Sequence, residues 1–207
     1  AHKKISEFDG VRALPEKFPT VSVLNMDNVL KLSEKTSIIP LSENSVNAYL
    51  GIDIGSVSTN FTLIDESGNL IKEIYTETKG RPILVVEEHL VNLFNEFVTK
   101  VNICGVGTTG SGRELIGEFI GADVVIDEIT AHKTGSIFID TKYVGTGVDT
   151  IFEIGGQDSK YISLENGVVV DFTMNEACAA GTGSFLEEQA EKLGINIKDE
   201  FARRALS

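Results

Sequence analysis

The chain has 207 residues, 42% of them apolar, which is enough to close a core and excludes a disordered or fibrous sequence. Its 31 acidic against 18 basic side chains give a net charge of −13, which sets the overall field against a nucleic-acid backbone or an anionic lipid surface. No apolar run approaches the ~20 residues of a membrane span and no charged-then-apolar leader opens the sequence, so no membrane partner and a soluble, cytoplasmic protein are expected.

Residues 1–47 carry Pro15, Pro19 and Pro40 and no sustained period, which predicts an extended arm or interdomain linker. Three strands follow: Tyr49 to Ile54, Asn60 to Asp65 and, after a turn at Glu66-Ser67-Gly68-Asn69, Leu70 to Tyr75, an antiparallel meander. Pro82 opens a helix whose stripe is read as Ile83, Val86, Leu90, Phe94, Phe97 and Val101. Val101 to Val106 reads as a strand, Gly112 to Ile120 as a helix, Asp123 to Ile126 as a strand and Glu128 to Ile139 as a helix, giving β-β-β-α-β-α-β-α.

The opening then repeats. An offset of 100 positions sets Asp53 over Glu153, Ile54 over Ile154, Gly55 over Gly155, Phe61 over Tyr161 and Asp65 over Glu165. The second copy has a hairpin connection one residue shorter, with Asn166-Gly167 as its turn. A glycine-rich loop, Ala179 to Gly183, and a helix from Phe185 to Leu193 follow; Ser184 and Glu187 suit a capping box and Gly194 a stop. One more helical segment starts at Ile197. The expected organisation is an arm over 1–47, a first subdomain over 48–148 and the start of a duplicated second one over 149–207. The first residue, Ala1, and the unclosed end suggest a segment of something longer.

Two copies of acid-x-Gly at a hairpin suit a polyphosphate held between two lobes. The glycines let the backbone approach an oxyanion, and turn amides can point at it without help from lysine or arginine. Carboxylates beside phosphates are tolerable only with a metal ion between them, so magnesium is implied.

The stretches Gly51-Ile52-Asp53-Ile54-Gly55-Ser56, Glu128-Ile129-Thr130-Ala131-His132, Ile154-Gly155-Gly156-Gln157-Asp158-Ser159-Lys160 and Asn175 through the Cys178-Ala179-Ala180-Gly181-Thr182-Gly183 segment to Phe185 resemble the ATPase activators of 2-hydroxyacyl-CoA dehydratases. The resemblance extends to the related benzoyl-CoA reductase ATPase subunits and covers residues 49–207. It implies an α/β actin-like, ribonuclease H-like fold of the actin/sugar kinase/Hsp70 superfamily. It also implies ATP or ADP with Mg2+, an electron donor of the ferredoxin or flavodoxin type, a dehydratase partner, and a homodimer sharing one [4Fe-4S] cluster. The catalytic candidates are Asp53, Glu153 and Gln157, with Asp53 also holding magnesium through water. The nucleotide-binding candidates are Gly55, Ser56, Ser58, Gly155, Gly156, Asp158, Gly181, Thr182 and Gly183. Cys178 matches one iron–sulfur ligand. The family's second cysteine and its adenosine loop have no counterpart before Ser207, so this segment is expected to hold no stable cluster and to bind ATP weakly or not at all. A sugar kinase of the N-acetylhexosamine kinase type and a noncatalytic half of a tandem activator are the alternative readings.

By the residues alone, Cys178 lies among small side chains before a helix start, where free amides favour a thiolate; a small buried hydrophobe is the other reading. Cys104 is assigned to the core, and two cysteines are too few for a disulfide scaffold. Gly105-Val106-Gly107-Thr108-Thr109-Gly110 spells a dinucleotide fingerprint, but such folds do not open on an antiparallel meander. Thr109-Gly110-Ser111-Gly112-Arg113 instead resembles the family's Thr-Gly-x-Gly-Arg turn, which implies a place at the edge of the nucleotide cleft, with Arg113 meeting either a phosphate or, the preferred reading, a nearby carboxylate. Glu128 and His132 share a helix face, as either a local polar pair or a pair facing the cleft.

Overall fold

The structure, a computed structural model, describes residues 27, 29–32, 37–40, 45–175 and 181–205; Cys178 lies outside the described residues. The chain divides into the units Ala1–Lys31 and Leu32–Ser207, and every element below belongs to the second.

Strands β1 (Val46–Ile54), β2 (Ser58–Asp65) and β3 (Leu70–Glu77) form the meander. They are followed by α1 (Pro82–Phe97), β4 (Val101–Thr109), α2 (Arg113–Ile120), β5 (Val124–Val125) and α3 (Glu128–Tyr143), in the order read from the sequence. The sheet runs β3-β2-β1-β4-β5, with β4 parallel to β1 and to β5. Gly105 and Gly107 lie inside β4, so the fingerprint-like spelling forms no loop there.

Alternation in β1 decides where the chemistry goes. Ala48, Leu50, Ile52 and Ile54 are buried in the core with Phe61, Leu63, Val86 and Ile116. Asp53 therefore points to the other face, at the carboxyl end of β1. Its parallel partner Thr109 ends β4 beside it, and ligands of open α/β sheets gather at such strand ends.

The stripe on α1 differs from the one expected. Val86 and Leu93 are buried, Leu90 and Phe97 pack partly, and Ile83 and Phe94 face outward. The 86-90-93-97 spacing follows one face, whereas the Leu90-to-Phe94 step leads the stripe away from the sheet. Cys104 is also exposed rather than buried, because it lies outside the inward-facing set of β4.

The second sheet is a three-stranded meander of β6 (Thr150–Ile154), β7 (Ser159–Glu165) and β8 (Val168–Met174). It copies the first pair by pair. Ile54↔Thr59, Asp53↔Asn60 and Ile52↔Phe61 return as Ile154↔Ser159, Glu153↔Lys160 and Phe152↔Tyr161. Thr62↔Glu73 returns as Ile162↔Phe172, the one-residue-shorter connection expected, and the register breaks at the same place, after Leu63 and after Ser163. Asn166 and Gly167 take positive φ of 52° and 77°, as a tight Asn-Gly hairpin requires.

Helix α4 spans Gly183–Leu193 and closes on Gly194 in the left-handed conformation, followed by a π-helical turn at Ile197–Phe201 and α5 (Ala202–Ala205). The Ser184–Glu187 capping box does not form; Thr182 is the N-cap residue and makes no side-chain cap bond. The N–H groups of Gly183 and Ser184 instead donate to the carbonyls of Gly155 and Gly156 at 3.0 and 2.9 Å. Among the described residues no helix is long and apolar enough to cross a membrane.

Candidate functional site

Two turns of the same build stand at the ends of the two hairpins. In the first the Gly55 N–H donates to the Ser58 carbonyl, and in the second the Gly155 N–H donates to that of Asp158, both at 2.9 Å. The turns meet: the Ser56 hydroxyl donates to Gln157 Oε1 at 2.9 Å, and Val57 lies so close to Gly156 that a Cβ there would sit 2.7 Å from its Cγ2. Behind them is a cleft of about 510 Å3, walled by both turns, by the Thr109-Gly110-Ser111 corner after β4 and by the first turn of α3. That volume suits a small-molecule ligand.

Gly110 makes the corner possible. Its φ is +87°, and a Cβ would lie 2.5 Å from both Asp53 Oδ1 and the Ile54 carbonyl oxygen, so the chain can fold tightly over Asp53 only with glycine here. Asp127 caps α3 by accepting from the Thr130 N–H at 3.0 Å, and this bond holds its carboxyl below the usual range. The helix so anchored places Glu128 and His132 on the cleft wall, which settles that pair as facing the cleft. Arg113 lies outside the wall; its guanidinium donates to the Gly110 carbonyl and pairs with Glu114 at 3.6 Å.

The electrostatics are uneven. Burial pushes the Asp53 carboxyl above its ordinary value; His132 and an Asn60 hydrogen bond oppose this, while Glu128 and Glu153 add to it. Lys160, only 4% exposed, lies 3.0 Å from each of Glu128, Glu153 and Asp158. Burial disfavours its charge, yet the three carboxylates outweigh burial and hold the ammonium above the ordinary lysine value.

The structure thus brings together Asp53, Gly55, Ser56, Ser58, Glu153, Gly155, Gly156, Gln157 and Asp158 around one cleft. Gly181, Thr182 and Gly183 are not in its wall: Gly183 packs behind the second turn, 3.4 Å from the Gly155 carbonyl oxygen for a Cβ placed there. The Thr109–Ser111 corner lines the cleft, as its likeness to the family's turn at the cleft edge implied, whereas Lys160 carries no assigned role in the sequence reading. A signal for Lys160 existed, since it shares the inward parity of Ile162 and Leu164 in β7.

Four carboxylates and one lysine in the cleft wall leave three negative charges, so a polyphosphate fits only in company with a divalent cation. The residues fit that pairing. Asp53 has no Lys or Arg partner among the described residues, and the buried Thr109 hydroxyl beside it has no hydrogen-bond partner, leaving both to a ligand.

Known proteins resemble this chain in sequence and fold. The (R)-2-hydroxyglutaryl-CoA dehydratase activating ATPase of Acidaminococcus fermentans is 33% identical over 72% of this chain and 55% of its own length. The crystal structure of component A of that organism's (R)-2-hydroxyglutaryl-CoA dehydratase superposes with a TM-score of 0.62 at 30% identity, over 73% of this chain and 56% of its own. The activator of the 2-hydroxyisocaproyl-CoA dehydratase from Clostridium difficile, solved with bound ADPNP, gives a TM-score of 0.57 at 29% identity, over 72% of this chain and 53% of its own. The chain therefore has the actin-like ATPase fold, and it spans about half the length of these relatives. The BadF/BadG/BcrA/BcrD ATPase family model matches residues 50–205, and the chain belongs to that family.

Proposed function

We propose that this chain is the phosphate-gripping part of an ATP-hydrolysing activator of a 2-hydroxyacyl-CoA dehydratase, with a first subdomain over residues 48–148 and the opening of a second over 149–207. The observation that carries the reading is the pair of acid-x-Gly turns, alike in register and in their internal hydrogen bond, that line one cleft and are joined by the Ser56–Gln157 bond. ADPNP in the Clostridium difficile relative supports a nucleotide as the ligand.

In this reading Gly55, Ser56 and Ser58 hold one side of the polyphosphate and Gly155, Gly156 and Asp158 the other, with Asp53 and Glu153 flanking the terminal phosphate. Gln157 orients the attacking water, and hydrolysis passes the terminal phosphoryl group to that water with ADP leaving. Magnesium, held through water by Asp53, supplies neutralisation of the phosphate charge. Gly183, with Ser184, braces the second turn from behind through its bond to the Gly155 carbonyl, so a change at the phosphates moves α4, while Gly181 and Thr182 lead the chain into that helix.

The relatives' names also support a dehydratase partner. A [4Fe-4S] cluster shared across a cytoplasmic homodimer, fed by a ferredoxin or flavodoxin, completes the proposal. A cubane needs four thiolates, and Cys178 from two subunits gives two, so this chain's cysteines do not fill the ligand set and no step here runs through a cluster.

Calorimetric titration with Mg–ADPNP and with Mg–tripolyphosphate tests the reading. Magnesium-dependent binding of tripolyphosphate, no weaker than that of ADPNP and reduced when Gln157→Ala removes the bond that joins the turns, is expected; binding that instead requires an N-acetylhexosamine would replace the activator with the sugar kinase. Anaerobic iron and sulfide analysis of the full-length activator of which this chain is proposed to be a part, with and without Cys178→Ala, tests the redox part, which fails if iron content is the same in both.

A further inference from the structure

We infer that Lys160 is a positioning residue that withholds Glu153 from metal and leaves Asp53 as the carboxylate that holds a divalent cation's water. This rests on the phosphate-and-metal reading above. The internal repeat provides the comparison. Asp53 faces Asn60 across its strand pair, and Glu153 faces Lys160 at the same register position of the second copy. One acid is given a neutral partner and the other a cation.

The cation cannot readily be drawn away. Lys160 is buried and bound at 3.0 Å by Glu153, Asp158 and, from α3, Glu128. Stripping one carboxylate from a buried ammonium costs because it leaves part of that charge uncompensated where water does not replace the lost partner. A divalent cation arriving at Glu153 would also meet the lysine's charge at close range, where like charges repel. No lysine or arginine guards Asp53 among the described residues, only the His132 imidazole faces it from α3, and the unpartnered Thr109 hydroxyl lies beside it in the parallel register. The two acids that the duplication made equivalent are thus divided in role by the residue opposite each, and Glu153, locked to Lys160, fixes the second turn to α3.

The test is Mn2+ binding to this chain with tripolyphosphate, followed by electron paramagnetic resonance. Asp53→Asn should weaken Mn2+ by about tenfold or more and Glu153→Gln by less than about threefold, the first figure being typical of losing a group that supports a metal. In Lys160→Met the freed Glu153 becomes competent for metal, so adding Glu153→Gln to that background should now cost about tenfold. Lys160→Arg should restore the indifference to Glu153→Gln, a rescue that a merely structural lysine does not predict. Equal losses in Asp53→Asn and Glu153→Gln would overturn the inference and leave the phosphate reading standing, whereas no Mn2+–tripolyphosphate binding by the wild type would overturn both. If Lys160→Met does not fold, the near-isosteric pair Asp53→Asn and Glu153→Gln decides the matter alone.

Discussion

Gly156→Ala tests whether the two turns touch, because its sign depends on the answer. Gly156 does not use a positive φ, so alanine is conformationally acceptable there and by itself stabilises by about 0.4–1 kcal/mol through the unfolded chain. In the structure, however, the added methyl would lie 2.7, 2.8 and 3.3 Å from Cγ2, Cβ and Cγ1 of Val57. Overpacking of that kind costs about 1–3 kcal/mol. The net expectation is a loss of roughly 0.5–2 kcal/mol, since the methyl clash outweighs the entropic gain. Urea unfolding of the ligand-free protein reads this as a lowered midpoint at unchanged slope. Val57→Ala, which removes both γ-methyls but leaves Cβ, should recover part of the loss when combined with it. A midpoint that rises in Gly156→Ala would mean that the turns stand apart, and the facing-loop reasoning would be wrong.

Leu93→Ala should cost about 2–5 kcal/mol, as large-to-small changes in a packed core do, while Phe94→Ala, at a position 65% exposed, should change the urea midpoint little. Asp127→Ala should cost about 1 kcal/mol at pH 7 by uncapping α3. Because the folded-state value of Asp127 is depressed, its contribution is present above the ordinary carboxylate range and fades as pH falls through the folded value, so wild type and variant should converge in acid. In the presence of a chelator, Asp53→Asn should raise the urea midpoint at neutral pH, since it removes a carboxylate that burial disfavours; a lowered midpoint would contradict that account.

Much of this was legible in the residues because the signals were periodic. The match of Asp53-x-Gly55 with Glu153-x-Gly155 fixed two hairpins at once, and the register of the strand pairs follows it residue by residue. What escaped depended on partners distant in sequence. Ser184 looks like part of a capping box, yet its N–H is taken by the Gly156 carbonyl, a group nothing in the local sequence announces. Phe94 reads as core because apolar character alone does not distinguish it from Leu93; the angle at which α1 lies on the sheet decides. Lys160 carries a visible cue in its inward parity, but its meaning needs the Glu128 of a helix packed from elsewhere.

The central claim is that both turns close on one polyphosphate. Hydrogen exchange followed by mass spectrometry, with and without saturating Mg–tripolyphosphate, tests it most directly. Protection is expected together in the peptides covering 54–59 and 154–159, extending to the start of α4 through the Gly183 and Ser184 bonds. Protection confined to one turn, with the other exchanging as in the free protein, would contradict it.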